Sequence, residues 1–170
     1  MKVALRRRPQ IKIALRAARP VDYGFARQLY RELMHDITDA LFGWDEYRED
    51  MSFARQFVLR EARIITRAAK DIGWIQTRIE GPAMHLLQFY IAPPWQHRGF
   101  GTEVLQRLLA EAKRRRKLMA LSVVKGNPAI RFYLRHGFRP VAEDRYKIYL
   151  RQERARSLRG IGPTMGMQRG

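Results

Sequence analysis

The chain has 170 residues, 46% of them hydrophobic, a net charge of +18 and no cysteine. This length and apolar content suit one domain with a real core and exclude a wholly disordered chain. The lack of cysteine excludes disulfides, thiolate metal sites and cysteine nucleophiles. No apolar run reaches the roughly 18–20 residues of a membrane span, and those near the N-terminus are too short for a signal-peptide core. A cytoplasmic protein with no membrane partner is therefore expected. The charge is uneven: residues 1–20 carry seven Lys/Arg and no acid, and residues 151–170 carry five Arg and one Glu. More than half the excess thus lies at the two ends. The layout expected is a basic extension over 1–10, one domain over 11–150, and a basic, Gly-rich, disordered tail over 151–170.

In chain order, Ile11–Ala18 alternates apolar and polar residues and reads as a strand that Pro20 breaks. Asp22 stands where a helix N-cap should be. Tyr23, Ala26, Leu29, Tyr30, Leu33, Met34 and Ile37 then mark one helix face. Gly43 interrupts, and a second helix is expected from about residue 45 to 58. Two β-rich runs around Lys70-Asp71 read as a hairpin, and Gly81-Pro82 as the next turn. Met84–Ile91 is nearly all apolar, as in a strand buried on both faces. After Pro93-Pro94 comes "QHRGFG", and then a helix whose inner face is Val104, Leu105, Leu108, Leu109 and Ala112. Leu118–Val124 is another buried strand. Asn127 and Pro128 open a short helix that Gly137 closes, and Tyr146–Leu150 is the last strand. The order β-α-α-β-β-β-α-β-α-β predicts an α/β sheet covered by helices.

A Gly-rich turn between a strand and a helix exposes successive N–H groups beside a positive dipole end, so it binds an anion. A dinucleotide fingerprint needs a third glycine, and a phosphate loop of the Gly-Lys-Ser/Thr type is absent. With these residues in view, "Q-x-x-G-x-G" between strand and helix resembles the acyl-CoA loop of the GNAT superfamily of N-acetyltransferases. "GNPAIRFYLRHGF" is similar to that superfamily's second signature. The likeness covers about residues 11 to 150, and the overall pattern resembles a broad bacterial branch.

The resemblance implies a mixed, mostly antiparallel sheet with helices on its flanks, splayed between strands 4 and 5. It implies acetyl-CoA as co-substrate, no metal, and direct attack by a primary amine of a small molecule, peptide or protein in a ternary complex. Pantetheine contacts carry over to Tyr90, Ile91 and Ala92, which the two prolines terminate for want of N–H groups. The pyrophosphate carries over to Gln96, His97, Arg98, Gly99, Phe100, Gly101 and Thr102. Asn127 and Tyr133 fall near the pantetheine and thioester, with Tyr133 the acid that protonates the leaving thiolate. His85 is a candidate base, a water chain being the alternative. Gln88 and the segment Trp44, Asp45 and Glu46 are candidate acceptor-binding residues, since carboxylates and an indole suit a cationic amine. Arg131 and Arg135 reach either the adenosine phosphates or solvent. The partners expected are the amine acceptor and, left open, a second copy of the chain. A basic nucleic-acid-binding module and a silent CoA-binding regulator are the competing readings.

Overall fold

Two antiparallel hairpins with two-residue turns set the middle of a seven-stranded sheet in the computed structural model, which describes residues 13–152. The strands are β1 (Ala14–Ala17), β2 (Ala62–Arg67), β3 (Lys70–Glu80), β4 (Ala83–Ile91), β5 (Leu118–Val124), β6 (Phe138–Glu143) and β7 (Lys147–Gln152). The helices are α1 (Tyr23–Phe42), α2 (Glu46–Gln56), α3 (Phe100–Arg114) and α4 (Ala129–Arg135). The order across the sheet is β1-β2-β3-β4-β5-β7-β6, and every neighbouring pair is antiparallel except β4 with β5.

The turn between β2 and β3 is Ala68-Ala69, two residues earlier than the sequence suggests, and both alanines have positive φ (46° and 63°). A two-residue hairpin needs that twist, although glycine or asparagine meets it at lower cost. Gly81-Pro82 makes the second turn as expected. Gly73 is required by packing: a Cβ there would sit 2.2 Å from the Tyr90 carbonyl oxygen of β4.

One strand escaped the sequence reading. Residues 138–143, "FRPVAE", form β6, and Pro140 in such a run argues against a central strand. The structure agrees with that logic, because β6 is an edge strand with an irregular register between Pro140 and Ala142. β7 also runs through Arg151 and Gln152, so the domain passes the expected boundary at residue 150. Of the expected first strand, residues 11 and 12 lie outside the described residues, as do the extension over 1–10 and residues 153–170 of the tail.

The sheet is covered on both faces. On one, α3 and α4 lay Phe100, Val104, Leu105, Leu108, Ala112 and Tyr133 against the inward residues of β3 to β5, with Phe138 and Leu150 closing the cluster. Each fully buried Leu or Ile there contributes about 1.5–3 kcal/mol. On the other face, α1 and α2 bury Ala26, Leu29, Tyr30 and Phe53 against Ile64 and Trp74. That side is aromatic: Phe53, Phe57 and Tyr90 all pack within 6 Å, centroid to centroid, of the Trp74 ring. Asp22 does not cap α1 through its side chain. Its buried carboxylate accepts from Arg19 N–H (2.7 Å) and from both terminal nitrogens of Arg16 (2.7 and 2.8 Å), tying β1 to the start of α1.

Candidate active site

The site begins where the sheet comes apart. β4 and β5 pair only from Ala83–Leu118 to Leu86–Leu121, although both strands continue. The β3–β4 register slips at the same place: Thr77 faces Leu86 and Gln76 faces Gln88, so Leu87 is an extra residue in β4. A bulge bends its strand and raises its twist, which swings the end of β4 away from β5. Leu87 is consequently 39% exposed, where the apolar run predicted burial on both faces.

The freed edge has a definite set of backbone groups. Ala92 N–H donates to Ile72 O (2.8 Å) and Ala92 O accepts from Trp95 N–H (2.8 Å). Two-residue alternation along an antiparallel ladder therefore turns the backbone of Tyr90 toward β3 as well, and that of Phe89 and Ile91 toward the gap. Of the three residues expected to offer backbone groups, Ile91 does so; Tyr90 and Ala92 are engaged within the sheet, and Phe89 joins Ile91. The Ile91 carbonyl already accepts from Gln96 Nε2 (2.8 Å), which fixes the following loop against the strand end.

That loop is a 3-10 turn over Pro93–Trp95, then His97 with φ 57° and Gly99 with φ 85° immediately before α3. The first intrahelical bond is Glu103 N–H to Gly99 O (3.1 Å), so the N–H groups of Phe100, Gly101 and Thr102 point out of the helix end. Gly101 is helical, and a Cβ there would meet Ile91 and Phe132 at an ordinary 3.6 Å, so neither packing nor backbone conformation demands glycine. Phe100 is buried, leaving only its backbone for a ligand. Arg98 lies over the Trp95 ring at 5.8 Å, and His97 is exposed.

α4 is built much as its sequence indicates. Asn127 Oδ1 accepts from Ala129 N–H (2.9 Å), and Gly137 ends the helix with φ 85°. Tyr133 is buried, and burial pushes its hydroxyl well above the ordinary phenol range. The hydroxyl has no hydrogen-bond partner among the described residues, yet the one sealed and unpartnered side-chain polar atom among them is Trp74 Nε1. The Tyr133 hydroxyl therefore opens on accessible space. It also lies near the seam of the sheet: burial, then the neighbouring phenols of Tyr30 and Tyr133, push the Tyr90 hydroxyl up. Tyr133 comes from the α4 side and Tyr90 from the α1/α2 side. Arg131 and Arg135 are exposed.

On the α1/α2 face, a cavity of about 550 Å³ straddles the splay. His85, Leu87 and Gln88 of β4 form one wall and Ser122 of β5 the other. Gln88 is held in place: its Oε1 accepts from Tyr90 O–H (2.6 Å) and its Nε2 donates to Gln56 Oε1 (3.3 Å). The His85 ring has no hydrogen-bond partner among the described residues. Trp44, Asp45 and Glu46 are not brought to this cavity. Asp45 caps α2 by accepting from Arg48 N–H (2.7 Å), Glu46 pairs with Arg31, and Trp44 packs against the His35 ring at a tilt (4.7 Å between centroids) beside a separate groove of about 690 Å³ on α1.

No local signal in the sequence marks Phe89, whose backbone the ladder parity turns toward the gap. Nor does the local sequence mark Ser122, Tyr149, Arg55 and Arg151, which three separate elements, α2, β5 and β7, deliver to the cavity. Buried Glu49, which accepts from Tyr30 O–H (2.9 Å), was likewise missed, because its partner stands 19 residues away. Among the described residues no cluster of three His, Asp or Glu is arranged to hold a metal ion, and no helix is long and apolar enough to cross a membrane.

A sheet splayed between its parallel pair, with a glycine loop at the end of one splayed strand, is the architecture of an acetyltransferase. Residues 24–138 match the model of the acetyltransferase (GNAT) family, and the chain belongs to that family. It is an acyltransferase that uses acetyl-CoA as co-substrate. Solved structures agree in fold. The PaiA N-acetyltransferase of Thermoplasma acidophilum, in complex with coenzyme A, superposes with a TM-score of 0.71 at 18% identity, covering 84% of this chain and 99% of that one. The Naa50 protein of Arabidopsis thaliana, in complex with the bisubstrate analogue CoA-Ac-MVNAL, gives 0.58 at 17% identity over 83% and 98%. A ribosomal-protein-alanine N-acetyltransferase of Escherichia coli gives 0.62 at 19% identity over 83% and 93%. No curated protein matches the sequence.

Proposed function

We propose that acetyl-CoA enters from the α3/α4 side of the splay and the amine from the α1/α2 side, with direct transfer between them. The observation that carries this is the continuity of donors. The backbone edge at Phe89 and Ile91 leads, through the Gln96-fastened loop, to the three free N–H groups at the start of α3. An extended amide arm suits the first and a pyrophosphate the second. Gly101 keeps the helix end bare for that approach. Arg98 adds positive charge, and Asn127 keeps its Nδ2 for the pantetheine because Oδ1 is engaged in capping.

Each chemical step has a residue suited to it. The Tyr133 hydroxyl, held protonated by burial and open at the seam, donates to the departing thiolate. His85, unpartnered on the acceptor wall, takes the proton that the amine loses as it attacks, directly or through one water. Gln88, oriented by Tyr90 and Gln56, hydrogen-bonds the incoming amine. A backbone N–H at the bulge stabilises the oxyanion.

Free-thiol release from acetyl-CoA with a panel of primary amines tests this reading, alongside calorimetry of acetyl-CoA binding. Binding together with amine-dependent thiol release is expected. If acetyl-CoA at millimolar concentration neither bound nor raised the melting temperature, the assignment of this edge and loop would be wrong.

A further inference from the structure

The charge of the acceptor cavity points to a substrate class. We infer that the acceptor is a small primary amine carrying carboxylates, either a free amino dicarboxylate or the N-terminus of a short acidic peptide. The inference rests on the acetyl-transfer reading above.

Four cations line the cavity, Arg55, Arg78, Lys147 and Arg151, and no acidic residue does. They come from α2, β3 and β7 and surround the splay on the side where His85 and Gln88 stand. Two of them are compensated. Arg78 makes two hydrogen bonds to Glu61 (2.9 and 3.0 Å), and Lys147 lies close enough to Asp144 to lower that carboxyl further, after its hydrogen bonds to Tyr146 N–H, Tyr149 O–H and Lys147 N–H. The side chains of Arg55 and Arg151 have no ion-pair or hydrogen-bond partner among the described residues. The nearby acids are outside the lining and engaged: Glu143 pairs with Lys125 (3.2 Å), and Asp144 accepts from the Tyr149 hydroxyl (2.8 Å).

Two uncompensated guanidiniums flanking an amine site repel a polyamine or a Lys-rich tail and attract carboxylates, which a guanidinium binds through paired N–H donors. Gln88, Ser122 and Tyr149 supply neutral hydrogen-bonding groups between them. The volume of about 550 Å³ suits an amino acid or a few residues of peptide. This reverses the expectation from Trp44, Asp45 and Glu46, whose carboxylates suggested a cationic acceptor: Trp44 lines a different groove, Asp45 caps α2 and Glu46 pairs with Arg31.

The test uses the full chain at saturating acetyl-CoA, read by thiol release. The probes are glutamate, the tripeptides Ala-Glu-Glu, Ala-Gln-Gln and Ala-Lys-Lys, and spermidine. At least one acidic probe is expected to exceed Ala-Gln-Gln about tenfold in kcat/KM, and Ala-Lys-Lys and spermidine about a hundredfold. Glutamate against Ala-Glu-Glu separates the free amino acid from the peptide end. Arg55→Glu and Arg151→Glu, both at exposed positions, should each lower that preference about tenfold and leave the acetyl-CoA dissociation constant within twofold. High salt should erode the preference in wild type. Equal use of the neutral tripeptide, preference for a basic acceptor, or a preference untouched by both charge reversals would overturn the inference. So would acetyl-CoA binding with no acidic amine acetylated. Failure of acetyl-CoA to bind would instead sink the underlying reading.

Discussion

The two faces of the sheet are built by different means. The α3/α4 face is a mainly aliphatic cluster whose groups open to a ligand are mostly backbone: Phe89, Ile91 and the first turn of α3. The α1/α2 face is aromatic and fastened by ion pairs, with Arg16–Asp22, Arg27–Asp50 and Arg31–Glu46 holding its helices. Its functional groups are side chains from α2, β3, β4, β5 and β7. In the function proposed above, the first face presents donors to acetyl-CoA, and the second sets the choice of acceptor. Glycines, prolines and helix ends suffice for the first, whereas the second needs particular charges at particular places.

Breaking each face should give different symptoms. The largest effect expected is on the aliphatic side. Leu108→Ala, at a fully buried position, should cost about 3–4 kcal/mol by urea unfolding and destabilise the whole domain. Next is Tyr133→Phe, which keeps the ring packing and removes only the hydroxyl. The expected outcome is a roughly hundredfold lower kcat with the acetyl-CoA KM within threefold; unchanged turnover would remove Tyr133 from the chemistry.

On the ion-paired side, Asp22→Asn should cost about 2 kcal/mol at pH 7, since it takes a charge from a buried, hydrogen-bonded pair. Hydrogen bonding from Arg16 holds the Asp22 carboxyl far below its ordinary range. A carboxyl lowered in the folded state adds stability that is full above its unfolded value, roughly pH 4, and is lost on acidification below that. Unfolding measured from pH 7 down to pH 2 should therefore fall less steeply in Asp22→Asn than in wild type. The smallest effect expected is a gain: Ala69→Gly relieves a positive φ in the β2–β3 turn and should add about 1 kcal/mol, read as a few degrees in Tm.

The same contrast explains what was legible in the sequence. The glycine loop, the two prolines, and Asn127 and Gly137 at the ends of α4 are local devices: Gly99 takes φ 85° before α3, the prolines follow the end of β4, Asn127 Oδ1 accepts from Ala129 N–H and Gly137 takes φ 85°. Phe89 was missed because backbone direction depends on ladder parity, which the bulge at Leu87 sets. β6 was missed because a proline argues against a strand unless the strand lies at an edge, and edge position is a property of the whole sheet. Trp44, Asp45 and Glu46 form a persuasive cluster in sequence, but capping, the Arg31 pair and the His35 ring contact account for them locally. Arg55 and Arg151, nearly a hundred residues apart, could be joined only by the fold.

Residue-resolved amide NMR during a titration with coenzyme A tests most directly which face receives the co-substrate. The amides of Phe89, Ile91, Phe100, Gly101 and Thr102 should shift most and gain protection from exchange. Those of Tyr90 and Ala92, hydrogen-bonded to β3, should keep their existing protection. If instead the largest shifts fell on Gln56, His85 and Arg151, with the α3 terminus unmoved, the two faces would have been assigned the wrong way round.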